Sequence, residues 1–383
     1  MLTVDQALDI ILRGIRPPKI IDVSLSRADG NVLAEECASD LDMPPFDKSM
    51  MDGYAVRSAD AGPLEVIEEV PAGKVPAREV QPGTCTKIMT GAPVPSGADA
   101  VQQVEKTTRD GNRVTLQAPV KPGQNIARRA TDMRTGEVVL RPGHRIRAAE
   151  IGALAAIGKA SVRIFAPPRC AVLATGDELV PPDAKPGPGQ IRNSNTSSIS
   201  AQVRSLGLEC DDLGVVRDEQ DAIRAAIREG LKRDLLILSG GVSAGDWDLV
   251  IPALEAEGVK IAMHQVLIKP GRPFCFAPGV FGLPGNPVSS FVIFEVFVRP
   301  YLGFPRPRIR ARLDSEVRQK IERVHYLPAR VRFEGDGYAA ETVPWQGSAD
   351  LFALTKANAF VVVPVQTTYT RGDRVECMLL DQV

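Results

Sequence analysis

The chain has 383 residues, 44% hydrophobic and 24% charged, which excludes wholesale disorder and exceeds the ~250–300 residues at which one hydrophobic core stops growing. With 46 Lys+Arg against 47 Asp+Glu the formal charge is −1, so no global basic field recruits nucleic acid and any anion site is local. The 3 histidines lack metal-ligand spacing and the 6 cysteines are dispersed without a Cys-x-x-Cys pair, which argues against a zinc ribbon, a disulfide framework and a His-based triad. Buried free thiols in a reducing compartment are expected. The opening MLTVDQALDIIL has neither a basic region nor a small-residue cleavage site, and the apolar stretch 288–302 is broken by Glu295, Arg299 and Pro300. A cytoplasmic protein with no membrane association is the expectation.

In chain order, Thr3 and Gln6 form a capping-box pattern ahead of Ala7, Leu8, Ile11 and Leu12 at helical spacing. Between residues 41 and 122 short β-like runs (54–56, 64–70, 84–89, 100–107, 113–117) alternate with Pro/Gly turns, and Arg109-Asp110-Gly111-Asn112 reads as a hairpin turn. Helical texture returns over 148–157, before a strand at 161–165. The expectation is a small β domain, 41–122, inserted into a discontinuous helix-rich domain, 1–40 and 123–165. From 166 to 304 strands (170–174, 209–216, 235–238, 260–267) alternate with helices (197–206, 220–229, 249–257, 288–301), the pattern of a doubly wound α/β sheet. Pro305, Pro307 and the basic run Arg306 to Arg312 read as a linker within a last, β-rich segment, 305–383, of barrel or sandwich type.

Ligands of open α/β sheets bind in the loops at the carboxyl ends of the strands. Four loops there are unusual: Thr175-Gly176-Asp177-Glu178, Ser239-Gly240-Gly241-Val242-Ser243 running on to Asp246 and Asp248, Lys269-Pro270-Gly271-Arg272, and Pro284-Gly285-Asn286-Pro287. They absorb a share of the 33 glycines and 31 prolines. The Gly240-Gly241 loop feeds a helix, so its backbone N–H groups can face an oxyanion. Glu178, Asp218 and Asp248 lie beyond strand ends on one rim, as oxygen ligands for Mg²⁺ beside a phosphate should. Helix capping is the competing reading for Asp218, Asp246 and Asp248, and a solvated turn for Lys269 and Arg272. By residue type alone Asp52 and Thr90 are turn residues, Asn286-Pro287 is a helix start and Ser348 sits in a bend.

Together SMMDGYAV, IMTGAPVPSGADAV, ATGDELV, GQIRNSN, LSGGVSAGDWD, IKPGRP, GLPGNPVSS and GSADLFALTKANAFVVVP resemble the molybdopterin molybdenumtransferase (MoeA) family, related to the E domain of gephyrin. The motifs run in the family's order from residue 49 into the last module. The resemblance implies four domains: a discontinuous helical dimerisation domain, an inserted β domain, a MogA-like molybdopterin-binding α/β domain and a C-terminal β-barrel-like domain. It implies a homodimer whose partner completes the cleft, and the final step of molybdenum cofactor synthesis. In that step molybdate is inserted into adenylylated molybdopterin, supplied by an upstream molybdopterin adenylyltransferase, with Mg²⁺-dependent release of AMP. Carried over by motif, the catalytic positions are Asp52, Thr90, Asp132, Glu178, Asp218 and Asp248, with Glu178, Asp218 and Asp248 as metal ligands. The substrate-binding positions are Gly240, Gly241, Ser243, Lys269, Arg272, Pro284, Pro287, Ser348 and Arg330. The chain departs from the family at Gln265, where a cation is common, at Arg272 for lysine, at Asn193 for aspartate and at Ala353 for serine. A scaffolding role, as in gephyrin, lacks its long linker and extra domain here; a nucleotide enzyme of the CinA type does not account for motifs along the whole chain.

Overall fold

The computed structural model describes residues 1–242 and 249–381. The chain forms two compact units, Met1–Pro18 with Pro167–Val383, and Lys19–Ala166.

In the first unit, helix Val4–Arg13 starts at the encoded capping box: Gln6 N donates to Thr3 Oγ1 (3.2 Å) and Thr3 N donates to Gln6 Oε1 (3.0 Å). Val4, Ala7 and Ile11 form its buried face. They join one core with Cys170, Val172, Phe274, Phe276, Phe281 and Phe297. The first helix therefore belongs with the α/β module and not with residues 123–165. The six-stranded sheet runs in the order Cys210–Val216, Cys170–Thr175, Leu235–Ser239, Val280–Leu283, Cys275–Ala277, Met263–His264. The first four strands are parallel and the last two pair antiparallel. All residues of Cys170–Thr175 and Leu235–Ser239 are buried, as continuous apolar strands covered on both faces require. The predicted strand over 260–267 is shorter than expected. Gln265 takes a left-handed backbone (φ 64), which ends the extended run after Met263–His264 and sends Ile268–Lys269 to a different sheet.

That second sheet is the C-terminal module. Val324–Glu334 pairs with Gly337–Thr342, then Arg308–Leu313, Arg374–Leu379 and Ala359–Val363 follow, and the last pairs back with Val324–Glu334. This closes a five-stranded barrel, with Ile268–Lys269 added in parallel beside Val324–His325. The basic run read as a linker is thus a barrel strand. Ile309, Ala311 and Leu313 turn inward between arginines, the alternation that a half-buried strand needs. The last helix of the α/β module, Pro287–Ile293, continues through a π-helical turn, Phe294–Val298, into Arg299–Tyr301. The turn carries Glu295, whose side chain is fully buried against Arg306 (2.5 Å), Arg299 (3.5 Å) and Gln202 Nε2 (2.7 Å). Arg306 also donates to the Leu380 carbonyl (2.5 Å), tying this helix to the chain's last strand.

The second unit contains a six-stranded sheet ordered Ala100–Gln103, Gly53–Val56, Thr84–Ile88, Pro63–Val70, Arg113–Leu116, Thr107–Asp110. Outside it, Ile20–Ser24 pairs with Ser161–Phe165, which pairs with Val32–Leu33. Helix Ala148–Ala156 contributes Leu154 to the core under that small sheet. It is the one α-helix among the described residues of this part, so "helix-rich" describes it poorly. Cys37, Cys85, Cys170, Cys275 and Cys377 are buried free thiols, and Cys210 is half-buried. No helix among the described residues is long and apolar enough to cross a membrane.

Ile11 is wholly buried in the α/β core. Ile11→Ala is expected to destabilise the first unit by about 2–5 kcal/mol, read from a urea unfolding curve.

Candidate active site

The strand order of the α/β sheet reverses direction beside Cys170–Thr175: the next strand in the chain, Cys210–Val216, lies on one side and Leu235–Ser239 on the other. A crevice opens at such a switch point, and here it lies between the loops that follow Thr175 and Ser239. Gly240 (φ +94) and Gly241 (φ +61) leave the second strand in left-handed conformations. A Cβ on Gly240 would come within 2.7 Å of the Thr175 carbonyl, and one on Gly241 within 2.5 Å of Val250 Cγ2. Only glycine fits either position. Asn195 Nδ2 donates to Ser239 Oγ (2.8 Å) and to the Gly285 carbonyl (2.7 Å), fastening two of the loops together. Asn286, at the N-terminus of the last helix of the α/β module, leaves its own helix uncapped and donates to Ser348 Oγ (2.9 Å). The Ser348 carbonyl in turn accepts from Val288 N (3.0 Å). The tail loop is thereby stitched onto the α/β module.

These loops enclose a cavity of about 950 Å³, within the range of small-molecule sites. Of the residues expected from sequence, Glu178, Asp218, Gly240, Gly241, Lys269, Arg272, Pro284, Pro287 and Ser348 line it. Ser243 and Asp248 lie outside the described residues. Arg330 does not line the cavity: it is exposed further along strand Val324–Glu334, opposite Glu341. Arg323, immediately before that strand, lines the cavity in its place, and Arg192, Asn195 and Trp345 were likewise not singled out by sequence. Asp52, Thr90 and Asp132 belong to the second unit. There Thr90 N and Oγ1 both donate to Asp52 Oδ1 (2.7 Å each), which holds the Asp52 carboxyl below its ordinary range. Asp132 is exposed, its backbone N donating to the Met43 carbonyl (2.8 Å).

The two walls of the cavity differ in charge. On one, burial and the neighbouring Asp177 and Glu178 carboxylates push the Asp218 carboxyl up, a crowding of oxygen donors that a hard divalent cation relieves. Among the described residues no three His, Cys, Asp or Glu side chains converge as a complete metal site. On the other wall stand Lys269, Arg272 and Arg323. None of the three is in an ion pair among the described residues. Arg272 Nη2 donates to Gln265 Oε1 at 3.4 Å, a neutral partner. Behind this wall His325 is 9% exposed, with its ring 5.9 Å from that of Trp345 and Nε2 without a partner. Burial, then Lys269 and Arg323, push its imidazole down to about 4.

Gly241→Ala is expected to cost about 1–3 kcal/mol in a urea titration, combining a left-handed alanine with overpacking against Val250. His325 gives a pH signature. The unfolded chain takes up its proton near the ordinary 6.5 while the native state resists until about 4. Its contribution is therefore present above pH 6.5, shrinks as pH falls, and is lost by about pH 4, a change of about 3 kcal/mol. In His325→Asn that part of the stability–pH curve should flatten.

Family models described as the MoeA N-terminal region (domain I and II), a probable molybdopterin binding domain and the MoeA C-terminal region (domain IV) match residues 2–158, 171–303 and 310–380. The chain is 35% identical to the molybdopterin molybdenumtransferase of Nostoc sp., over 91% of this chain and 85% of that protein. It is 32% identical to the molybdopterin molybdenumtransferase of Staphylococcus aureus, over 95% and 91%. Two crystal structures of the molybdopterin biosynthesis MoeA protein from Pyrococcus horikoshii superpose with TM-scores of 0.86 and 0.83 at 31% identity, covering 100% and 99% of this chain and 100% of each of theirs. With three consecutive regions matched and relatives aligned along almost the whole length, the chain belongs to the MoeA family of molybdopterin molybdenumtransferases.

Proposed function

We propose that this transferase of molybdenum cofactor biosynthesis inserts molybdate into adenylylated molybdopterin with Mg²⁺-dependent release of AMP, and that the cavity of the first unit is where it does so. The observation that carries the proposal is the meeting in one cavity of a carboxylate wall, Glu178 and Asp218, with a cationic wall, Lys269, Arg272 and Arg323, that has no ion-pair partner among the described residues. A tetrahedral dianion takes charge-assisted hydrogen bonds from the cationic wall and from the hydroxyl of Ser348. The phosphates of the pterin substrate fit the glycine loop at Gly240-Gly241, whose backbone N–H groups carry no side chain of their own to keep an anion away. Glu178, Asp218 and Asp248 would hold Mg²⁺. When bound, the ion supplies neutralisation of charge on the phosphoanhydride as AMP leaves. Asp218 or Asp248 orients the water that cleaves the anhydride, and the rigid loop contacts of Asn195 and Asn286 keep the two walls in register, so that molybdate and dithiolene meet without a search.

The same proposal includes a homodimer in the cytoplasm, in which the partner's inserted β domain completes the cleft and contributes the Asp52, Thr90 and Asp132 positions, with molybdopterin adenylyltransferase supplying the substrate. Its test is reconstitution from purified protein, adenylylated molybdopterin, Mg²⁺ and molybdate, followed as AMP released and active cofactor formed. The wild type should give both, while Asp218→Ala, folded by circular dichroism, should lose AMP release by 100-fold or more, of the order expected for a residue that holds a catalytic metal or water. Absence of AMP from the wild type, or undiminished molybdate insertion by the variant, overturns the assignment.

A further inference from the structure

Several arginines of the barrel are matched with carboxylates: Arg308 with Glu376, Arg312 with Asp314 and Glu334, Arg332 with the same two. The cations that line the cavity are not. Lys269, Arg272 and Arg323 stand without a counter-ion among the described residues, and the groups placed where a counter-ion would be expected are neutral. Gln265 meets Arg272. His325 lies opposite Lys269 in the parallel pairing of Ile268–Lys269 with Val324–His325, two residues from Arg323, and packs on Trp345. Its other strand neighbour, Val363, belongs to Ala359–Val363, which has no charged residue. Among the described residues the charged groups acting on His325 are therefore Lys269 and Arg323, both cationic.

We propose that His325 is a positioning residue of the oxyanion subsite: as a buried neutral ring between Lys269, Arg323 and Trp345, it keeps both cations uncompensated so that their charge is directed at the bound oxyanion. This rests on the functional reading given above. Imidazole fills the space that a carboxylate would otherwise occupy, with a flat face for Trp345 and no negative charge. Its burial and its two cationic neighbours hold the ring unprotonated across the neutral range, so it adds no repulsion either. Gln265 does the same for Arg272, accepting one hydrogen bond without neutralising the guanidinium. The energetic consequence is that an empty subsite keeps like charges together, and anion binding is the event that relieves them.

The experiment measures molybdate binding by calorimetry, and separately the KM for molybdate and kcat in the AMP-release assay, for wild type, His325→Asp, His325→Gln and Gln265→Glu. His325→Asp should weaken molybdate binding at least tenfold and raise KM by a similar factor, with kcat at saturating molybdate changed less than threefold. The neutral His325→Gln should stay within threefold of wild type. Gln265→Glu, at a half-buried position that tolerates a carboxylate even where His325→Asp does not fold, should likewise weaken molybdate binding at least threefold. Wild-type affinity in both carboxylate variants overturns the proposal, as does an equal loss in His325→Gln, which would make packing and not charge the cause. If the wild type binds molybdate with these variant effects but releases no AMP, the functional reading fails and this one stands. If the wild type releases AMP while His325→Asp and Gln265→Glu bind molybdate as it does, this one fails alone; a wild type that binds no molybdate overturns both.

Discussion

The cavity exists because two residues of the α/β module, Ile268 and Lys269, leave their own sheet and pair with Val324 and His325 of the barrel. That short parallel contact puts the Lys269–Arg272 loop beside Arg323, and the Asn286–Ser348 hydrogen bond closes the far side. Neither module has the whole site. The α/β sheet supplies the switch-point crevice, the glycine loop and the carboxylates, while the barrel supplies Arg323, Trp345 and Ser348. The left-handed backbone of Gln265 is what releases the chain from one sheet to the other. A residue of ordinary type thus stands in a conformation that glycine would occupy more cheaply, at a point where the geometry of the site is decided.

A net charge near zero conceals a steep local gradient. Within one cavity, carboxyls crowd until Asp218 is harder to ionise, and three cations that line it have no ion-pair partner among the described residues. Elsewhere the molecule does the reverse. Glu295, fully buried, is surrounded by Arg299, Arg306 and Gln202, as a charge must be if it is to stay buried.

Much of this was legible in the sequence for identifiable reasons. Strand-ending glycines and prolines announce loops, and nine of the residues carried over by motif line the cavity. The capping box at Thr3 and Gln6 formed as its spacing demands. What escaped notice depends on closure in three dimensions. The alternation Arg308-Ile309-Arg310-Ala311-Arg312-Leu313 is a strand pattern, but the flanking prolines and the density of arginines drew it toward a linker. The resemblance points to Arg330, while the structure puts Arg323 at the cavity. Seven residues along an extended strand is about 23 Å, so the two cannot serve one small site. His325 has no neighbour in sequence that marks it; its isolation among cations comes from Lys269, brought alongside by a sheet contact that periodicity does not encode. The packing of the first helix was likewise hidden, since its apolar face names no partner.

That helix has a consequence for the order of events during synthesis. Val4–Arg13 is synthesised before Lys19–Ala166, yet the core that buries Val4, Ala7 and Ile11 includes residues between Cys170 and Phe297. The whole of Lys19–Ala166 is produced in the interval and has a core of its own to form. The amphipathic segment therefore waits, unpartnered, through the birth of an independent unit. Likewise Arg306 finds its carbonyl acceptor only when Leu380 has been made. The α/β module is closed by segments far apart in the chain, so a nascent polypeptide cannot complete its ligand-binding half until both lie outside the ribosome.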